Sequence, residues 1–247
     1  YAKPNKMGGA YSMGVYGVHP YVLTNFVNSK RDVSTIAHEL GHSMHSYYSN
    51  KEQNVINANY TIMVAEVAST VNEILLSDYQ IKNEKDSKKK AELLYELLEM
   101  IRATLFRQAM FAEFEKIVHD KTENNVMLSA DDLNDIYYKL NQKYFGNDVD
   151  VDEQIKYEWA RIPHFYTSFY VYKYATGISV ALSIVSDILN NKPNALDNYL
   201  LFLKSGGSNY PLEILKKCGI DIVNDDTIEK ALQVFNDTLE DFIRSRK

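Results

Sequence analysis

Several scarcities limit what this 247-residue chain can be. A single cysteine, Cys218, cannot form an internal disulfide and, beside Gly219 in an apolar setting, is expected to be buried rather than reactive. No uninterrupted apolar run approaches the roughly 20 residues that span a bilayer, and no basic-then-apolar signal segment opens the chain. Positive charge is in deficit: 27 Lys and Arg face 33 Asp and Glu, a formal net charge of -6, with no concentrated basic face. Nucleic acid is excluded as a partner on that ground, and anionic membranes are mildly disfavoured. Internal repeats and low-complexity tracts are absent. These features lead us to expect a cytoplasmic protein. Only five prolines interrupt the chain, which leaves room for long helices.

What is present is 45% hydrophobic and 24% charged, enough apolar content for a core. Helical periodicity is plain over residues 88–119, 131–144, 168–189 and 227–243. Ser129-Ala130-Asp131-Asp132 predicts a capped helix start, and residues 82–90 a charge-rich turn. By contrast, residues 8–26 alternate small, aromatic and apolar residues around Gly14, Gly17 and Pro20, which predicts a hairpin or an irregular strand pair. The fold class is therefore mainly α with a small amino-terminal β element: a β-rich entry segment over 1–28 and a helical body over 30–247.

The chemistry concentrates in Thr35-Ile36-Ala37-His38-Glu39-Leu40-Gly41-His42-Ser43-Met44-His45. On a helix, positions four apart lie about 40° apart around the axis and about 6 Å along it. His38 and His42 can then face one Zn²⁺, with Glu39 placed to accept a proton from a water that the metal activates. An amphipathic helix with solvated histidines is the alternative. A catalytic zinc takes three protein ligands and leaves one position open, so a further donor is required. Glu66 lies within the mostly apolar run 62–71 with no Lys or Arg within a turn, and a buried carboxylate needs a cation. Glu73, two turns on, could hydrogen-bond a ligand histidine from behind or face solvent. One Zn²⁺ per chain is expected, although Co²⁺ or Mn²⁺ suits such donors.

A second cluster is His164 followed by tyrosines at 166, 170, 172 and 174. A Tyr hydroxyl or His N–H could stabilise the oxyanion that forms when water attacks a peptide carbonyl. The tyrosines could equally be core aromatics, Tyr170 and Tyr174 being one helical turn apart. The hairpin edge around Gly9, Ala10 and Tyr11 could bind an extended peptide through its main chain or simply cover the core. His45 is either behind the metal ligands or on the helix surface. His119 is expected near a helix end, His19 has no assigned role, and Ser205-Gly206-Gly207-Ser208 is expected to be a connection.

These segments resemble the catalytic half of the oligoendopeptidase F branch of the thimet oligopeptidase family of zinc peptidases. The likeness is carried by Gly9-Ala10-Tyr11-Ser12, His19-Pro20-Tyr21, the His38–His45 run, Ala65-Glu66-Val67-Ala68-Ser69 with Asn72-Glu73, Arg107–Glu115, and Trp159–Tyr166 with Tyr170–Gly177. The resemblance implies a zincin-like helical catalytic domain spanning 1–247. It implies that His38, His42 and Glu66 bind zinc, that Glu39 is the general base, and that short peptides are cut internally. It further implies an oxyanion role for His164, with Tyr166 and Tyr172 as the hydroxyl donors and Tyr170 in substrate binding. Relative to that family the chain begins at Tyr1 without the helical amino-terminal lobe. It is therefore expected to be a fragment, less selective for peptide length and able to pair with itself or with the separated lobe. A binding scaffold and a non-peptide amidase are the rival classes.

Overall fold

The computed structural model describes residues 1, 3–6, 8–224 and 226–246. It is mainly helical with one two-stranded antiparallel sheet, β1 (Tyr11–Met13) against β2 (Tyr21–Leu23), with Ser12 opposite Val22. The chain divides into two compact units, one formed by residues 1–99 and 177–247 and the other by residues 100–176. Among the described residues, no helix is long and apolar enough to cross a membrane.

In the first unit the hairpin leads into α1 (Lys30–Glu52), whose start is a capping box. Ser29 Oγ accepts from Asp32 N–H while Asp32 Oδ2 accepts from the N–H groups of Ser29 and Val27. Three orphan amides are satisfied at once, which sets where the helix begins. Helix α2 (Ile62–Asn83) packs along α1, and Gly41 shows how closely. A Cβ at Gly41 would lie 2.6 Å from the Ala68 carbonyl oxygen and 2.6 Å from Ser69 Cα, so only glycine permits this crossing. Ala68, Ser69 and Val71 of α2 are fully buried there. Helix α3 (Ser87–Ile101) begins after a turn in which Asp86 Oδ1 accepts from the N–H groups of Lys88 and Lys89.

Helix α6 (Tyr172–Leu189) is buried without a break from Gly177 to Val185, as suits a helix apolar on every side. Helices α7 (Ala195–Ser205), α8 (Pro211–Lys217) and α9 (Asp226–Ser245) complete this unit. Helix α7 braces α1: Gln53 Nε2 donates to the Lys204 carbonyl at 2.8 Å, and the Phe202 ring lies 5.2 Å from that of His45. The connection after α7 is the 205–208 segment, where Gly206 has φ +50 and the Gly207 N–H donates to the Asn57 carbonyl at 2.8 Å. Cys218 is 2% exposed, matching the expectation of a buried thiol.

The second unit opens with a π-helical turn (Arg102–Phe106), continues through α4 (Arg107–Glu123) and α5 (Ala130–Phe145), and ends in two 3₁₀ segments (Glu153–Arg161 and Pro163–Tyr166) before α6 begins. Its core is Met110, Phe111, Phe114, Tyr137, Leu140, Ile162 and Val171. Glu158 is its polar centre, accepting from Arg107 Nη2 and from the Tyr137 hydroxyl, both at 2.7 Å.

The helical stretch expected from residue 168 starts only at Tyr172. Phe169 adopts a left-handed backbone, φ 54, and its N–H donates to the buried Glu115 carboxylate at 2.5 Å. That conformation ends any helix passing through it. The expected helix over 88–119 is likewise split by the π turn, and α7 and α8 are helices that periodicity did not single out.

Candidate metal centre

Helix α1 holds the His38 and His42 rings at 85° to each other with their Nε2 atoms 3.1 Å apart. Glu66 reaches over from α2, with Oε2 3.8 Å from His38 Nε2 and Oε1 3.9 Å from His42 Nε2. The three donor atoms lie within 4.8 Å of one another. Tetrahedral zinc with bonds of about 2.0–2.1 Å separates its ligand atoms by roughly 3.3–3.5 Å, so this donor set fits the ion. The close approach at Gly41 makes that possible, because it sets the distance between the helix carrying the histidines and the helix carrying Glu66.

The donor side chains are held from behind. His38 Nδ1–H donates to Glu73 Oε1 at 2.5 Å, and Ser34 Oγ donates to Glu73 Oε2 at 2.8 Å. Glu73 thus bridges two residues of α1 one turn apart and leaves His38 Nε2 directed toward the centre. The His42 ring hydrogen-bonds the Ala65 carbonyl. Glu39 is 6% exposed, and its carboxylate takes the Ser12 N–H of β1. The Glu39 carbonyl accepts from Ser43 Oγ at 2.9 Å, and Ser43 Oγ is 2.9 Å from Ser12 Oγ, so the strand is tied to the helix beside Glu39.

The electrostatics follow from crowding three carboxylates around two imidazoles. Burial is the largest influence on His38 and pulls its pKa down, but the Glu73 hydrogen bond and the charges of Glu73, Glu66 and Glu39 leave it above the usual histidine value. His42 is lowered to about 4 by burial and by the charge of His38. Glu39 is held above the usual carboxylate range, first by burial and then by the charges of Glu66 and Glu73 against the pull of His38 and Ser12. Glu66 is raised by burial as well.

A cleft of about 550 Å³ opens along α1 from this centre, lined by His38, Glu39 and Glu73 on one side and by Gly9, Ala10 and residues 24–26 on the other. Gly9 and Ala10 are thus brought to the donor set, whereas Tyr11, 49% exposed in β1, is outside that lining. His45 is neither surface nor behind the ligands. It is 1% exposed and stacked on Tyr60 at 3.6 Å, and its Nδ1 has no hydrogen-bond partner among the described residues. His19 packs on Tyr21 with the rings tilted and their centroids 4.5 Å apart, and His119 packs on Phe169 at 4.4 Å.

The second cluster is assembled in the second unit. His164 stacks on Tyr170 at 5.3 Å, and the Tyr174 hydroxyl is 3.4 Å from His164 Nε2. Tyr166 is 75% exposed with its hydroxyl donating to the Ala160 carbonyl at 3.0 Å, and Tyr172 is 41% exposed. Residue patterns had not singled out Ser12, Ser34 or Arg31. Ser34 carried a signal, lying one turn before His38 on the same face, whereas Ser12 reaches Glu39 through its backbone N–H, which no side-chain pattern marks.

Two histidines on one helix, a glutamate from the next and a further glutamate beside them form the donor arrangement of a metal-dependent hydrolase. The sequence matches Peptidase family M3 over residues 1–234, and the chain belongs to that family. It is 46% identical to Oligopeptidase PepF of Bacillus subtilis over 98% of its length, covering 36% of that protein. It is 45% identical to an Oligoendopeptidase F homolog of Borreliella burgdorferi, again over 98% of this chain and 41% of the relative. Among solved structures, oligoendopeptidase-F from Enterococcus faecium superposes with a TM-score of 0.78 at 43% identity, covering 87% of this chain and 39% of that one. A Chlamydophila abortus structure superposes with a TM-score of 0.93 at 47% identity, covering 99% and 41%. The chain therefore spans about two-fifths of the length of these relatives.

Proposed function

We propose that this chain is the catalytic domain of a zinc-dependent endopeptidase that hydrolyses internal bonds of short oligopeptides. The observation that carries the proposal is the convergence of His38, His42 and Glu66 donor atoms within 4.8 Å beside the buried Glu39. The names of the relatives, oligopeptidase and oligoendopeptidase, support the substrate class.

His38, His42 and Glu66 would hold one Zn²⁺, which supplies Lewis acidity toward a carbonyl oxygen and toward water. Glu39 takes the proton of the water that attacks the peptide carbonyl and delivers it to the amine nitrogen as the C–N bond breaks. Burial beside Glu66 favours the protonated carboxyl that this relay requires. Glu73 keeps the proton of His38 on Nδ1 and its Nε2 free, and Ser34 keeps Glu73 in place. Gly9 and Ala10 present main chain to an extended peptide, with Tyr11 beside them in β1. His164, Tyr166 and Tyr172 are assigned as donors to the developing oxyanion and Tyr170 to substrate binding, on the strength of the family resemblance. The exposed apolar hairpin side chains, Met13 and Tyr21 among them, support pairing of that face with a second copy or a further segment of the protein. A cytoplasmic location belongs to the same proposal.

The test is cleavage of end-quenched peptides of increasing length by the parent and by Glu39→Gln, with zinc measured on both. Equal zinc and a loss of about 10²–10⁴-fold in cleavage is expected for a general base. A variant that cleaves at the parental rate, or a zinc-loaded parent that cleaves none of the peptides, refutes the proposal.

A further inference from the structure

The cleft does not end at the donor set. It continues along α1 past Ser34 to Asp32 and Arg31. Arg31 precedes His38 by seven residues, two helical turns, so the two side chains leave the same face about 10 Å apart. Among the lining residues Arg31 is the only Lys or Arg, against the carboxylates of Asp32, Glu39 and Glu73.

All three carboxylates are already engaged, Glu39 by the Ser12 N–H. Asp32 Oδ2 accepts from the Val27 and Ser29 N–H groups and from Ser29 Oγ, and Glu73 accepts from His38 and Ser34. The neighbouring Lys30 turns instead to Glu92 and Glu96 of α3, at 3.4 and 3.6 Å. The Arg31 guanidinium has Asp32 as a nearby charge but makes no hydrogen bond or ion pair at contact distance among the described residues. An exposed guanidinium with five unengaged donors thus stands at one end of a cleft whose other end is carboxylate-rich.

Resting on the peptidase assignment above, we infer that Arg31 is a specificity-determining residue that receives a carboxylate of the bound peptide. An extended peptide advances about 3.3 Å per residue, so the 10 Å span places that carboxylate about three residues from the bond being cut. The planar fork of arginine matches a carboxylate bidentately, which an ammonium does not. The guanidinium anchors the carboxylate at one end of the cleft while the scissile bond lies at the donor set, so the cleft selects one direction and register of the chain. The carboxylate has two sources, the peptide's terminus or an Asp or Glu side chain.

The experiment measures binding to the zinc-loaded Glu39→Gln chain, in which turnover is suppressed. The probes are one peptide series with a free carboxyl terminus, the same series amidated, and the amidated series with one Glu walked along it. Each is measured with Arg31 intact, with Arg31→Gln and with Arg31→Lys. Tighter binding of the free acids than of the amides, by about 10-fold, is expected with Arg31 intact, as one charge-assisted bidentate contact supplies. Arg31→Gln should erase that preference while leaving amide binding within about twofold, and Arg31→Lys should keep part of it. If instead the amide carrying Glu at one position binds tightly and loses this in Arg31→Gln, the source is a side chain and the assignment of Arg31 stands. Equal binding of all three series with Arg31 intact, or an equal loss for all in Arg31→Gln, overturns it. Cleavage by the Glu39-containing parent without carboxylate preference overturns this inference alone, whereas no cleavage and no binding overturns the peptidase assignment with it.

Discussion

Gly41→Ala separates two effects that act in opposite directions. In an exposed helix interior this change stabilises by about 1 kcal/mol through propensity. At Gly41 the new Cβ would sit 2.6 Å from the Ala68 carbonyl oxygen and from Ser69 Cα, about 0.8 Å inside ordinary van der Waals contact. The atoms it meets are α2 backbone, which cannot rotate away, so the helices must part. Overpacking of this kind costs about 1–3 kcal/mol, and after the propensity gain a net destabilisation of up to about 2 kcal/mol is expected. The same displacement carries Glu66 away from histidines that lie 3.8 and 3.9 Å from it, in a site tolerant to about 0.2 Å. Zinc affinity should fall at least about 10-fold. Urea unfolding with chelator present measures the first effect, and competition with a zinc-binding dye measures the second. Gly8→Ala, with nothing within 4 Å of its added Cβ, is the control and should leave both unchanged. A Gly41→Ala protein as stable as the parent, with undiminished zinc affinity, would refute the claim that this crossing sets the ligand geometry.

Glu73→Gln should lower zinc affinity about 10–100-fold with little loss of fold, because a carboxylate orients His38 more strongly than an amide does; unchanged affinity in a dye competition would contradict this. His45 titrates at about 3 in the folded chain because of burial, against 6.5 when free. Its folded pKa is depressed, so its contribution is complete above pH 6.5 and is lost as pH falls toward 3. Between pH 7.5 and 5 the parent should therefore lose about 2 kcal/mol more than His45→Phe in chelator-treated urea titrations, and identical pH slopes would show that His45 is not the sensor.

The residues whose placement follows from local spacing were legible. His38, Glu39 and His42 need only a helix, and the Ser129 cap and the α5 and α9 periodicities behaved as local signals do. Glu66 was inferred from a carboxylate surrounded by apolar residues, a pattern that names a need without naming the partner. His45 was ambiguous because the burial of a residue on the His38 stripe is decided by Tyr60 and Phe202, which arrive from elsewhere. The segment from 168 misled because Tyr170 and Tyr174 mimic a helical stripe, whereas the left-handed Phe169 held by Glu115 is a tertiary event. Arg31 drew no attention because a charged residue in the first turn of a helix is ordinarily solvated, and the cleft becomes visible only when the 24–26 segment folds beside it.

The first unit is discontinuous, and this imposes an order of events during synthesis. All three donors lie within residues 38–66, but Phe202 and Lys204, which close the other side of α1, come after the whole second unit. At about 5–20 residues per second, α1 and α2 wait on the order of 5–30 s on the ribosome before α7 emerges. During that interval His45 and its apolar neighbours face water or a chaperone, although the donor residues have already been made. Metal capture can thus precede completion of the core, and zinc would then help hold α1 and α2 together until α7 reaches them.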